Sequence, residues 1–476
     1  MGYHPGAEDD SVYLASVKAD LNPELFPRDA GFFKLQMRSS VFDNWMSVFV
    51  ERSGLPVAWA ELLWQWISIV LMVWSGWSIV SKLFEEAVAR WAGLAMLAAM
   101  FTLPVAGTAL YIADQYLHPR NLATALILFA ISRIVSGKVW HAVPLVALAF
   151  ALHPLMGAFG ISFCCVLTFT FDEPLRHQLR AWWGRAVPDA ATPAAIFIPF
   201  GWLFKPPSPT WLEAMQTRHW FRLYHWTWYE WLGAIVPLLF FWFVARVARR
   251  RGETSLARFA TALFIYGTFQ QAVAMVLLGP KALIVFSTLE PMRYLQLAYV
   301  FLALIGGAYL GREVLKAHAW RWAVFLLIAN GAMFAAQRQL FAGTPHIELP
   351  GAASGNSWLQ AFDWIRHNTP ADAYFALDPN YMAAPGEDNH GFRALAERSA
   401  LSDAVKDTAV ISKVPELGPL WHREQLAQAG WQHFQRADFE RLKTEFDVGW
   451  VLVANKQAAG LACHWHNQAV SVCEIP

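Results

Sequence analysis

From Val57 to Val80 the chain carries one charged side chain, Glu61, among residues such as Leu62, Leu63, Trp64, Ile67, Val70 and Met72. A helix of that length and apolarity crosses a hydrocarbon core about 30 Å thick and has no stable place in water. The pattern returns at 91–112, 121–135, 139–152, 155–171, 190–204, 231–247, 259–278, 294–310 and 322–336. About ten such runs define a polytopic α-helical membrane protein. Composition agrees: 56% of residues are hydrophobic and 15% charged, against about 45–50% and about 25% in soluble proteins. Several runs are short for a full crossing, so broken or tilted helices are expected near Pro144, Pro154 and Pro193.

Lysine and arginine set the orientation. One alternating set of loops holds Lys82, Arg90, Arg133, Lys138, Arg176, Arg180, Arg185, Arg246, Arg249, Arg250, Arg251, Arg258, Arg312, Lys316 and Arg321. The other holds Arg120, Lys205, Arg218, Arg222, Lys281 and Arg293. The first set dominates and is assigned to the cytoplasm. The acidic head, the His118 loop, the loop before Glu230, the Glu290 loop and the C-terminal tail then face outward. A head on that side calls for a further helix ahead of Met1 to carry it across.

Four segments are expected. Residues 1–56 form an outward head, in which Phe26, Phe32, Phe33, Leu35, Trp45 and Met46 suggest one or two short interfacial helices. Residues 57–338 form the transmembrane body. Residues 339–355, with Gly343, Pro345, Pro350 and Gly351, read as a linker. Residues 356–476 form a small extracytoplasmic α/β domain, with strands at 373–377, 449–454, 461–465 and 469–475 and helices near 392–398, 421–430 and 438–446. Cys463 and Cys473 flank a hairpin there and could pair outside the cytoplasm. Cys164 and Cys165 lie inside a span and are expected to pack.

A net charge of +1 gives no reason to propose nucleic acid as a partner, and the bilayer is the partner composition implies. The chemistry must come from ionisable residues at span ends. Glu8, Asp9 and Asp10 are consecutive acids ahead of the first run; such a group suits general-base work or a divalent cation, and it can equally be a solvated loop. Asp114, Tyr116, His118 and Arg120 follow the second run, and His153-Pro154 falls on the same side. Glu290-Pro291-Met292-Arg293 precedes a long apolar run, where Arg293 could snorkel to lipid or grip a phosphate. The loop from Arg218 to Glu230, with His219 and Tyr224, is aromatic and basic, fit for an interfacial belt or the wall of a lipid or sugar pocket. In the tail, Asp378, Glu387, Asp388, His390, Arg393, Arg398 and Asp403 suit salt-bridged loops.

Together these features resemble the GT-C superfamily of integral-membrane glycosyltransferases. The runs Glu8-Asp9-Asp10-Ser11-Val12-Tyr13-Leu14, Leu21-Asn22-Pro23, Asp114-Gln115-Tyr116-Leu117-His118-Pro119-Arg120, His153-Pro154-Leu155-Met156-Gly157, Glu290-Pro291-Met292-Arg293 and 390–399 resemble a family of bacterial GT-C-like membrane proteins. The resemblance implies a plasma-membrane enzyme of the cell envelope that takes a sugar from a polyprenyl-phosphate donor with inversion. It implies Asp9 or Asp10 as base, and Glu8 as an orienting group or, with Asp9 and Asp10, a holder of a divalent cation. Arg293, with Arg120 or His118, would receive the departing phosphate, and Tyr116, His153, Glu290, His219 and Tyr224 would line the substrate pocket. A transporter or lipid flippase, or a non-catalytic scaffold of the same shape, are the competing classes; few acids within the spans and no inverted repeat speak against the former.

Overall fold

The computed structural model describes residues 1–171, 174, 177–178, 181 and 207–476. The expected span at 190–204, with Pro193, and the loop cations Arg176, Arg180, Arg185 and Lys205 lie outside the described residues.

The head holds three helices: α1 (Asp10–Leu21), α2 (Gly31–Met37) and α3 (Phe42–Ser53). The acidic run is therefore not a loop throughout. The chain enters α1 at Asp10, with Asp9 in the N-cap position but making no capping hydrogen bond of its own.

The body comprises α4 (Val57–Leu83), α5 (Ala87–Ala99), α6 (Pro119–Val135), α7 (Val143–Leu152), α8 (Pro154–Phe171), the short α9 (Pro209–Gln216), α10 (Trp228–Arg250), α11 (Thr254–Leu278), α12 (Leu295–Leu310) and α13 (Ala319–Leu340). Among the described residues six helical runs are long and apolar enough to cross a membrane: Val57–Leu83, Pro154–Phe171, Trp228–Arg250, Thr254–Leu278, Leu283–Leu315 and Ala319–Leu340. Ala87–Ala99 and Val139–Leu152 are shorter apolar helices. The breaks expected at Pro144 and Pro154 are present, each proline opening a helix where its missing N–H costs nothing.

The run expected at 91–112 does not continue as one helix. It stops at Ala99, and the chain turns through a two-stranded ribbon, β1 (Pro104–Val105) paired with β2 (Leu110–Tyr111). Pro104 cannot extend the helix, and Gly107 takes a left-handed conformation in the turn. α5 packs closely on α12, and the contact is set by small residues: a Cβ on Gly307 would come within 2.7 Å of the Ala92 carbonyl oxygen. Cys164 is buried as expected, whereas Cys165 lies on the exposed face of α8.

The C-terminal α/β unit holds α14 (Ser357–Asn368), β3 (Tyr374–Ala376), α15 (Phe392–Ala396), β4 (Ser399–Ala400), α16 (Asp407–Lys413), α17 (Gly418–Ala427), α18 (Arg436–Phe446), β5 (Trp450–Ala454), β6 (Ala462–His466) and β7 (Val470–Glu474). Its mixed five-stranded sheet runs β4-β3-β5-β7-β6, parallel at β4-β3-β5 and antiparallel beyond. Cys463 and Cys473 face each other across β6 and β7 and are joined as a disulfide.

The head is laced between body and tail. Tyr3 bridges to Ile347 and Ala7 to His390. Gly391 lies so close to Ser11 of α1 that a Cβ there would overlap it. Arg393 of α15 reaches Asp29 in the head and holds Asp407 with both terminal nitrogens at 2.9 and 3.0 Å.

Candidate active site

The site is built where α1, α6, α8 and α16 end or begin together. Loop 112–121 is fixed first. Gln65 of α4 donates to the Asp114 carbonyl at 2.9 Å, Gln296 of α12 donates to the Ile112 carbonyl at 2.8 Å, and Asn121 accepts from the Asp114 N–H. Each of these amides is buried in the body and satisfies a backbone group that would otherwise be orphaned there.

That loop presents Arg120. Its Nε and Nη2 grip the Asp114 carboxylate at 3.1 and 2.7 Å, and both side chains are almost wholly buried, at 2% and 1% exposure. The fork is thereby held rigid, with Nη1 buried and lacking a hydrogen-bond partner among the described residues. His118 caps α6: its Nδ1 accepts the Arg120 N–H at 2.9 Å. The accepting nitrogen carries no proton, so the neutral ring carries it on Nε2, 3.9 Å from Asp9 Oδ2. Burial first, and then the Arg120 charge, hold His118 well below the usual imidazole range.

Asp9 lines a cavity of about 740 Å³ together with His118 and Arg120. Its side chain is 34% exposed, and its Oδ2 is 3.8 Å from Arg120 Nη2. Burial works to raise the carboxyl, but Lys406 and Arg120 outweigh it and hold Asp9 well below the ordinary carboxylate range. Lys406, at the N-cap of α16, places its Nζ 3.0 Å from Asp9 Oδ1 and 2.7 Å from Glu8 Oε2. The cavity is also lined by Glu290, in a left-handed conformation between two 3₁₀ turns, paired with Arg293 and with Lys413 at 3.0 Å. Arg218 lines the same cavity, tied to Val405 O and Thr408 Oγ1. Leu152, Leu155, Ala158 and Leu289 supply an apolar wall.

Of the residues singled out from sequence, Asp9, His118, Arg120, His153, Glu290 and Arg293 line this one cavity. Glu8 stands behind Asp9 on Lys406. Asp10 points elsewhere: its Oδ2 accepts the Gly6 N–H at 2.6 Å, and it shares a hydrogen bond with Glu61 of α4. Tyr116 is buried with Ala7 and Phe341, away from the cavity. His219 and Tyr224 are exposed, His219 3.7 Å from Glu230. In the tail, His390 and Arg393 serve ion pairs and Asp403 accepts backbone N–H groups at the start of α16.

Sequence reasoning missed Lys406, Lys413 and the role of Arg218. Arg218 sits in a loop already read as a pocket wall. Lys406 and Lys413 lie two helical turns apart, hence on one side of α16, but nothing in the sequence tells that this side returns to the head.

A divalent cation between Glu8, Asp9 and Asp10 does not fit. Among the described residues no group of three His, Cys, Asp or Glu side chains is arranged to hold a metal ion. Asp10 is turned away, and the ammonium of Lys406 lies between the other two carboxylates.

The fold and site define a polytopic α-helical membrane protein with a mixed-sheet C-terminal unit and a charged cavity where head, body and tail meet. No family model and no curated protein matches the chain. Among solved structures it is similar to the archaeal oligosaccharyltransferase AglB from Archaeoglobus fulgidus in complex with an inhibitory peptide and a dolichol-phosphate, with a TM-score of 0.33 and 10% identity over 94% of this chain. The match spans 66% of that chain, just under two thirds of its length. The functional reading therefore rests on the cavity itself.

Proposed function

We propose that the protein is an inverting GT-C type glycosyltransferase that moves a sugar from a polyprenyl-phosphate donor to an extracytoplasmic acceptor at a bacterial plasma membrane. The observation that carries this reading is the pairing of an ionised acid, Asp9, with a rigid buried guanidinium, Arg120, whose Nη1 has no hydrogen-bond partner among the described residues, in one cavity with an apolar wall.

The acceptor hydroxyl oxygen attacks the anomeric carbon of the donor, and its proton passes to Asp9. The bond from that carbon to the phosphate oxygen breaks, and its electron pair leaves on the phosphate. Charge grows on that oxygen, so fixed cations lower the barrier by preorganised electrostatics. In this reading Arg120 and Arg293 receive it, and Arg218 and Lys413 line the same cavity. His118 Nε2 stands 3.9 Å from Asp9 Oδ2, and Glu290 pairs with Arg293. Tyr116, His219 and Tyr224 have no part in the cavity in this reading. The 1–56 head, the 57–338 body, the 339–355 linker and the 356–476 unit act as one assembly, with head and tail outward. The Lys and Arg bias and the Cys463–Cys473 disulfide support that orientation.

Binding tests the reading before turnover does. Radiolabelled polyprenyl phosphate without a sugar should bind the purified protein and be lost in Arg120→Gln. Equal binding by wild type and Arg120→Gln would remove Arg120 as the phosphate site.

A further inference from the structure

The position between Glu8 and Asp9 is already filled by a cation that belongs to the chain. Side chains of successive residues in a helix diverge. Here Glu8 takes a left-handed backbone conformation, φ 51°, and both carboxylates come to Lys406 Nζ at 2.7 and 3.0 Å. A non-glycine residue in that region carries strain that surrounding contacts must hold. They do: the Glu8 N–H donates to the Asn389 carbonyl at 2.8 Å, tying the turn to the tail.

Lys406 is equally constrained. Its side chain is 12% exposed. Its backbone N–H donates to Asp403 Oδ1, as does that of Val405 at 2.7 Å, which fixes the start of α16. The stem therefore crosses from tail to head along one path. Burial alone would lower the ammonium, but Asp9 and Glu8 outweigh it and hold it above its ordinary value. Calcium and magnesium sit about 2.0–2.6 Å from carboxylate oxygens. An ion at that distance from both acids would overlap the ammonium and meet its charge.

We propose that Lys406 is the resident cation of this site, occupying the place between Glu8 and Asp9 that the acid pair would otherwise offer to a divalent metal ion. It is a positioning residue: it turns the Asp9 carboxylate so that Oδ2 faces Arg120 and the cavity. The C-terminal unit thereby supplies a part of the head's site, which couples tail docking to a correctly aimed Asp9. The consequence for sugar transfer rests on the glycosyltransferase reading; the consequence for cation binding does not.

Mn2+ binding to purified full-length protein, read by the electron paramagnetic resonance of the free ion, tests this. Wild type and Lys406→Arg should bind no Mn2+ at the acid pair. Lys406→Met and Lys406→Gln should gain one site, roughly tenfold or more tighter than any Mn2+ binding by wild type, as expected for two freed carboxylates. Adding Glu8→Gln to either variant should remove that site, and Mn2+ should raise the Tm of Lys406→Met but not of wild type. Wild-type Mn2+ binding that Glu8→Gln abolishes would overturn the proposal without any lysine variant. So would folded Lys406→Met and Lys406→Gln that remain indifferent to Mn2+. The predicted Mn2+ pattern in a protein that transfers no sugar would uphold the lysine's role and refute only the glycosyltransferase reading.

Discussion

Asp9 Oδ2 stands 3.8 Å from Arg120 Nη2, near enough to feel the charge and too far to share a hydrogen bond. The two groups are thus poised around a common space rather than locked to each other. Arg120 is locked instead to Asp114, and Asp9 to Lys406.

This spacing sets a pH dependence. In the free site Asp9 is well below the ordinary carboxylate range, because Lys406 and Arg120 overcome the effect of burial. In the glycosyltransferase reading Asp9 is the base and must be ionised, so activity should be present above its pKa and fall below it. A donor phosphate on Arg120 would cancel part of the pull and raise Asp9 in the complex. The acid limb of kcat/KM, which reports the free enzyme, should lie below that of kcat, which reports the complex. Coincident limbs, or the reverse order, would contradict this.

Asp114 holds the fork of Arg120 in place, and both are buried. Asp114→Ala leaves an uncompensated buried guanidinium, which costs about 3–5 kcal/mol. Thermal unfolding in detergent should show a large drop in Tm together with loss of polyprenyl-phosphate binding. A stable variant that still binds would show that the pair is dispensable.

Glu348 joins the linker to head and tail, with Oε1 2.6 Å from His4 Nδ1 and Oε2 3.2 Å from His390 Nε2. Burial would raise this carboxyl, but the His390 and His4 hydrogen bonds hold it down to about 2, from 4.5. His390 is raised above 6.5, burial being outweighed by Glu348. A depressed acid stabilises above its unfolded pKa and loses that as pH falls; a raised imidazole stabilises below its unfolded pKa and loses that as pH rises through its folded one. Both contributions are full only between 4.5 and 6.5. Glu348→Gln should therefore cost about 1–3 kcal/mol near pH 5.5 and less at pH 9. A Tm penalty that is flat with pH would contradict the ion pair.

The Cys463–Cys473 disulfide gives a test of orientation. In intact spheroplasts a membrane-impermeant maleimide should label these cysteines only after an impermeant reductant. Loss of the bond should cost about 2–3 kcal/mol, as for other short loops. Labelling that requires permeabilised cells would place the tail on the other side.

Much of the body was legible because its helices are runs with almost no charge, as at 57–80, with Glu61 alone, and 231–247, with Arg246 alone. α1 was not, for a physical reason. Val12, Tyr13, Leu14, Ala15, Ser16 and Val17 are all buried, so the helix shows no apolar stripe. At 91–112 hydropathy hid the turn at Pro104 and Gly107. The tail strands stand close to their expected positions, but the parallel pairing of β3 with β4 and β5 joins distant segments that no local pattern announces. The site shows the same division. Asp9, His118, Arg120 and Arg293 stood out as ionisable residues beside apolar runs. Asp10 looked equivalent to Asp9, and only the entry into α1 at that residue separates them. Lys406 lay hidden, because its partners are some 397 residues away.

The most direct test is turnover of a panel of radiolabelled polyprenyl-phosphate sugars by purified wild type, Asp9→Asn and Asp10→Asn, with each protein shown to be folded. The account predicts sugar release or transfer from one donor, lowered about 10²–10⁴-fold in Asp9→Asn, the share of a positioned general base, and close to wild type in Asp10→Asn. Undiminished transfer by Asp9→Asn, or no turnover of any donor by the folded wild type, would contradict it.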